Sequence, residues 1–86
     1  MLRLLDSGIP WREIDGEIVA LDPNSSRYVS INGSGTVLWR RLQEGGATSD
    51  ELAEVLVEHY GIASEQAGID VEAFVKQLDG VGWLAP

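Results

Sequence analysis

The chain of 86 residues has no cysteine, one histidine and one lysine. The absence of cysteine excludes disulfides, thiolate nucleophiles and cysteine-ligated metals, so the fold must be held by its core alone. No apolar run reaches the roughly eighteen residues that a membrane span requires, and the start of the chain lacks the apolar core of a secretory signal. The length predicts a single free-standing domain over residues 1–86. Without a predicted membrane span or secretory signal, the expected location is the cytoplasm.

Positive charge is scarce in the second half of the chain. Residues 1–43 carry five basic and five acidic side chains, whereas residues 44–86 carry nine acidic side chains and one basic side chain, Lys76. The net charge of −8 therefore comes entirely from the second half. Since a phosphate backbone would be repelled there, the charge distribution argues against a nucleic-acid partner.

Alternating apolar residues in the first third of the chain predict a small sheet. Two such runs, Trp11–Ile14 and Glu17–Leu21, flank an Asp-Gly pair, which suits a type I′ hairpin turn because both residues tolerate positive φ angles. The segment Asp22–Ser26, DPNSS, predicts a second turn before a third strand at Arg27–Ile31. We therefore expect a three-stranded antiparallel meander.

The glycine pair after the third strand allows two interpretations. Gly33 and Gly35 precede the first predicted helix, Gly35–Glu44, and this order also occurs in phosphate-binding loops. Such a loop needs either a lysine after its glycines or a parallel βαβ unit, and neither is present. The pattern favours a sharp turn in which Asn32 or Ser34 caps the helix.

Two further helices follow with clearer boundaries. Thr48 and Glu51 form a capping-box pattern at the start of helix two, and Gly61 is a typical left-handed stop. Helix three is expected from a cap at Ser64 to about Asp79. The apolar stripes of the three helices predict one shared core, closed by the end of the chain: Leu38, Trp39 and Leu42; Leu52, Val55, Leu56 and Tyr60; Ala67, Val71, Phe74, Val75 and Leu78; then Trp83 and Leu84.

A meander followed by three helices is an α+β fold that is similar to a winged helix-turn-helix with its wing at the front of the chain. Catalysis is not predicted. His59 has no second metal-ligand type at i+4, and none of the serines has a histidine and an aspartate in reach to activate it. We expect no enzyme activity, no metal and no cofactor.

Three binding functions remain open. A winged-helix DNA-binding regulator would read DNA through helix three, but that helix offers Lys76 and Gln77 against four acidic residues. A peptide-binding module would pair an extended peptide with the third strand, whose RYVSI sequence contains no proline, beside helix three. A scaffold that dimerises through the same open edge is the third hypothesis.

The sequence resembles one known family, the PqqD-like proteins or RiPP recognition elements, which bind leader regions of ribosomally made precursor peptides. The resemblance is carried by WREIDGEIVALDPNSSRYVSINGSGTVLW from Trp11 to Trp39, by TSDELAEVLVEHYGI, by the helix around Phe74 and by the closing Gly82-Trp83-Leu84. It covers almost the whole chain. Gly68 inside helix three and tryptophan at position 83, where leucine is commoner, are departures from the family's pattern.

The resemblance implies that the leader peptide adds as a fourth strand against the third strand and packs on helix three. The residues implied to contact it are Arg27, Tyr28, Val29, Ser30 and Ile31 on the strand and Asp70, Val71, Phe74, Val75 and Lys76 on the helix. The implied role is a non-catalytic adaptor that delivers the precursor to a processing enzyme. By similarity to the discrete proteins of lasso-peptide clusters, that enzyme is a leader peptidase, and a radical-SAM peptide-modifying enzyme is the alternative.

Overall fold

The computed structural model describes residues 1–5, 9–22 and 25–85. The strands and helices, in chain order, are β1 (Trp11–Ile14), β2 (Glu17–Leu21), β3 (Tyr28–Ile31), α1 (Ser34–Gln43), α2 (Ser49–Tyr60) and α3 (Ser64–Gly80). The predicted α+β architecture is confirmed, and the element boundaries differ from prediction by about one residue. Among the described residues, no helix has the length and apolar character needed to cross a membrane.

The three strands form one antiparallel sheet in the order β1-β2-β3. Its first turn has φ angles of 51° at Asp15 and 82° at Gly16, so the predicted hairpin turn is confirmed. The second predicted turn includes Pro23 and Asn24, which lie outside the described residues. At its far end the Ser26 N–H donates to the Asp22 carbonyl at 2.8 Å.

One face of the sheet packs on the helices. The core centres on Trp39, whose ring centroid lies 6.0 Å from that of Trp11 and 5.8 Å from that of Trp83. The buried apolar residues are Ile18, Ala20, Ile31, Leu38, Trp39, Leu42, Ala47, Leu52, Leu56, Ala67, Val71, Phe74, Leu78 and Trp83. Tyr60, predicted for the core, is instead 46% exposed, because it ends α2 and its hydroxyl donates to the Gly33 carbonyl at 3.4 Å.

The helix caps divide into confirmed and wrong predictions. The capping box of α2 is present: the Glu51 N–H donates to Thr48 Oγ1 at 3.1 Å, and the Thr48 N–H donates to Glu51 Oε1 at 2.9 Å. The left-handed stop at Gly61 is also present, with φ at 67°.

The other two predicted caps are wrong. The cap of α1 is Gly33 rather than Asn32 or Ser34. The turn into the helix requires a φ of 57° at the cap position, and glycine adopts such a positive angle most readily. The cap of α3 is Ala63, because the helix begins at Ser64 itself. Neither Gly33 nor Ala63 caps its helix through a side chain.

Candidate functional site

The register of the sheet decides which backbone groups of β3 are available. The Asp22 N–H donates to the Arg27 carbonyl at 2.8 Å, and the ladder continues through the pairs of Ala20 with Val29 and Ile18 with Ile31. In an antiparallel ladder, hydrogen-bonded and non-hydrogen-bonded pairs alternate, so Val29 and Ile31 bond to β2. Tyr28 and Ser30 direct their N–H and C=O groups away from β2. Within the described residues β2 is the one strand beside β3, so this edge of the sheet is open.

The side chains of β3 point to two faces. Ile31 is buried and Val29 is half-buried, and both lie on the face that packs against the helices. Tyr28 is 72% exposed and shares the outer face with Ser30. Arg27 is exposed just before the strand begins. A peptide paired with this edge would therefore meet apolar side chains on one face and Tyr28 on the other.

Helix α3 approaches β3 at two places, Phe74 near Gly35 and Ile31, and Gln77 near Ser30. A methyl group on Gly35 would lie 2.9 Å from Ile31 Cγ2 and 3.3 Å from Phe74 Cδ1, so the absence of a side chain permits this close approach. Three residues beyond Phe74, Gln77 Nε2 donates to the Ser30 carbonyl oxygen at 3.2 Å. The ring of Phe74 and the amide of Gln77 thus form a wall beside the open edge.

The predicted helix residues divide between two sides of α3. Asp70 lies one turn before Phe74, and its carboxylate accepts from Gln66 Nε2 at 2.9 Å. Val71 is buried in the core. Val71, Val75 and Lys76 line a recess of about 420 Å³ on the side toward the start of α2, and Ser49, Gly68 and Glu72 complete it. The structure therefore brings Phe74 close to the end of β3, whereas Val75 and Lys76 line the recess on the other flank of α3.

Gln77 was not among the residues predicted to contact the peptide. The sequence contained one usable signal, because the spacing of three residues from Phe74 places Gln77 on the same side of the helix. Its polar side chain indicated a solvent-facing position, and Gln77 is indeed exposed. Only the tertiary placement of α3 shows that this exposed position lies against the backbone of β3.

The charges on α3 are unsuited to phosphates. Its exposed acidic residues include Glu65, Glu72 and Asp79, and its one basic side chain, Lys76, pairs with Glu72 at 3.3 Å. In the part of the chain that the structure describes, no cluster of basic residues lies on this helix. Because acidic side chains would repel DNA phosphates, we expect DNA binding through α3 to be weak.

A second apolar surface lies on the outer face of the sheet. It contains a recess of about 450 Å³, lined by Pro10, Trp11, Arg12, Ile14, Val19, Leu21 and Tyr28. Ile14 is 48% exposed there. The sequence does not indicate this surface, because Ile14, Val19 and Leu21 simply fit the alternation expected of strands.

Comparisons with known proteins extend these observations. The family model described as Coenzyme PQQ synthesis protein D (PqqD) matches residues 17–84. A lasso peptide synthetase B1 complexed with the leader peptide is 27% identical, with 99% of this chain and 98% of that chain covered and a TM-score of 0.80. TbiB1, solved in complex with the TbiA(beta) leader peptide, is 22% identical over 95% of this chain and 93% of that chain, with a TM-score of 0.81. A search of curated proteins found no match.

Proposed function

The chain belongs to the PqqD family, whose domains are RiPP recognition elements, and from this premise we propose that it binds the leader peptide of a ribosomally made precursor. Domains of this family are typically binding modules without catalytic activity. The main support for this proposal is the open edge of β3, which lies beside the wall formed by Phe74 and Gln77. An extended peptide gains main-chain hydrogen bonds from such an edge and side-chain specificity from the adjacent wall.

Binding is by strand addition. The N–H and C=O groups of Tyr28 and Ser30 pair with the peptide backbone, which becomes the fourth strand of the sheet. Peptide side chains on the helix face pack beside Val29 and Phe74, while alternate side chains lie beside Tyr28. Ile31 is buried beneath this face, and the exposed Arg27 lies just before the first residue of β3.

The two sides of α3 receive different roles in this proposal. Asp70 and Phe74 flank the peptide together with Gln77. Val71 holds α3 to the core, and the recess around Val75 and Lys76 lies apart from the peptide. Of the five residues of α3 predicted to contact the peptide, the proposal therefore keeps Asp70 and Phe74.

The bound precursor is delivered to a processing enzyme. A leader peptidase is the proposed partner, supported by the likeness to a lasso peptide synthetase B1 over nearly the full length of both chains. A radical-SAM peptide-modifying enzyme is the alternative partner. Addition of the protein to a mixture of precursor and leader peptidase should accelerate cleavage, whereas an unchanged rate would argue against delivery.

Strand addition is tested by placing proline at each edge of the sheet. In Ser30→Pro the lost N–H points to the open edge, so the β2–β3 ladder survives while the peptide loses a donor. The matched control is Glu13→Pro. The Leu21 N–H donates to the Pro10 carbonyl at 2.9 Å, so the alternating pattern directs the Glu13 N–H away from β2 as well.

The probe is a labelled synthetic peptide with the leader sequence of a short precursor sought in the gene neighbourhood of this chain, and it is titrated by fluorescence anisotropy. Ser30→Pro should weaken binding by roughly ten-fold, through the lost hydrogen bond and the bulk of the proline ring, and Glu13→Pro should leave it within about two-fold. Ser30→Ala keeps the N–H and should bind like the unmodified protein. Equal affinity of both proline variants would contradict addition at β3, and salt-dependent binding of duplex DNA would favour the regulator instead.

A further inference from the structure

One acceptor of the open edge already has a partner within the protein. The Ser30 carbonyl points away from β2, and Gln77 Nε2 donates to it at 3.2 Å across 47 residues of chain. Among the described residues, this is the one side-chain hydrogen bond between α3 and the sheet. The amide group of Gln77 therefore lies where the N–H of an added strand would lie.

We propose that Gln77 competes with the leader peptide for the Ser30 carbonyl, so that its release is a step in peptide binding and limits the affinity. This inference rests on the proposed function and names a residue that tunes it. The side chain crosses from α3 to the edge of β3, and the added peptide backbone needs the same space. Both donors approach the carbonyl from its open side, so they exclude each other.

The energetics allow such an exchange. Gln77 and Ser30 are both exposed, so water replaces the bond when the side chain moves away. A neutral hydrogen bond of this kind contributes a modest net free energy, which corresponds to roughly a two- to ten-fold effect on affinity. Gln77 thus weakens binding without preventing it, and it keeps one edge acceptor from pairing with other strands when no leader is present.

Gln77→Met tests the competition. Methionine keeps a similar length and helix propensity but has no donor for the Ser30 carbonyl. The matched control is Gln43→Met, which changes an exposed glutamine at the far end of α1 from Gly35 and the open edge of β3. With the labelled synthetic leader as probe, Gln77→Met should bind roughly two- to ten-fold more tightly, and Gln43→Met should bind unchanged.

Two readouts separate this inference from the proposed function. If the unmodified protein binds the leader but Gln77→Met binds equally or more weakly, the competition is refuted and leader binding stands. If no variant binds, leader binding is refuted. In either case, the hydrogen bond from Gln77 to Ser30 can be tested in the free protein. Its loss should shift the ¹³C resonance of the Ser30 carbonyl in Gln77→Met but not in Gln43→Met. An unshifted resonance would show that the bond does not form in solution.

Discussion

The sheet has two outer edges, and they differ in what flanks them. Along β1 the outward backbone groups belong to Trp11 and Glu13, and along β3 they belong to Tyr28 and Ser30. Trp11 packs edge-on against Trp39. The β3 edge instead has Phe74 and Gln77 of α3 close by, with Phe74 itself 4% exposed. An open edge alone therefore does not define the binding site, because specificity requires the wall.

The β1 edge also carries two features that discourage pairing. Pro10, which has no N–H, precedes the strand, and Glu13 forms an ion pair with Arg40 of α1. Proteins commonly protect sheet edges with proline and with charged side chains that face inward. Neither feature occurs within Tyr28–Ile31, which leaves β3 as the edge suited to a peptide.

The largest expected effect comes from proline at a position of β3 whose N–H points toward β2. In Val29→Pro the lost N–H belongs to the ladder with β2, and its acceptor on the fully buried Ala20 is left unpaired. We expect a loss of about 3 kcal/mol in the free energy of unfolding. Urea denaturation followed by tryptophan fluorescence measures this loss. A Val29→Pro variant as stable as Ser30→Pro would show that the assigned ladder is wrong.

A smaller effect is expected where the wall meets the strand. In Gly35→Ala the new methyl group would press on Ile31 and Phe74, and this overpacking should outweigh the helix propensity gained. We expect about 1–2 kcal/mol of destabilisation and weaker leader binding. Thermal unfolding and anisotropy titration check the two effects. An unchanged affinity would indicate that the position of Phe74 does not matter for the peptide.

The cap of α2 provides a stability change remote from both edges. Thr48→Ala removes the hydroxyl that accepts from the Glu51 N–H and should cost about 1 kcal/mol without altering leader affinity. Denaturation and titration of one sample check both parts. A fall in affinity comparable with that of Ser30→Pro would mean that binding follows overall stability rather than the β3 edge.

The same cap has a defined pH dependence. The Thr48 backbone N–H and then its side chain hold the pKa of Glu51 below its ordinary value of 4.5. Because the folded pKa is lowered, the stabilisation is present above the ordinary value and is lost as the pH falls through the folded pKa. The stability difference between Glu51→Ala and the unmodified protein should therefore shrink below about pH 4.5, which denaturation at several pH values measures.

The smallest effect should come from the opposite side of α3. Nothing lies within 4 Å of a methyl group placed on Gly68, so Gly68→Ala should stabilise the helix by about 0.5–1 kcal/mol. Leader affinity should not change, because this residue lines the recess toward α2. Thermal unfolding and titration provide the check. Weakened binding would assign that recess, with Val75 and Lys76, to the peptide site.

Local signals in the sequence were sufficient for most of the fold. The Asp-Gly turn and the Thr48 capping box each have a stereochemical cause within a few residues, so both were predicted correctly. The cap at Gly33 was not, because it depends on how β3 joins α1 over the close contact at Gly35. Local propensity cannot describe such a tertiary arrangement.

The candidate site was less predictable for the same reason. An apolar stripe identifies the buried face of α3 but does not show which flank meets α2 and which meets β3. The sequence therefore provides no reason to prefer Phe74 over Val75 as a peptide contact, although the structure places them on different flanks of α3. The hydrogen bond from Gln77 to Ser30 joins residues 47 positions apart and has no local pattern.

The most direct measurement is amide hydrogen exchange of the two edges with and without the synthetic leader. Strand addition at β3 predicts that saturating leader slows exchange at Tyr28 and Ser30, whose N–H groups acquire partners in the added strand. Exchange at Trp11 and Glu13 should stay unchanged. Protection at Trp11 and Glu13 instead, or binding without protection at Tyr28 and Ser30, would contradict strand addition at β3.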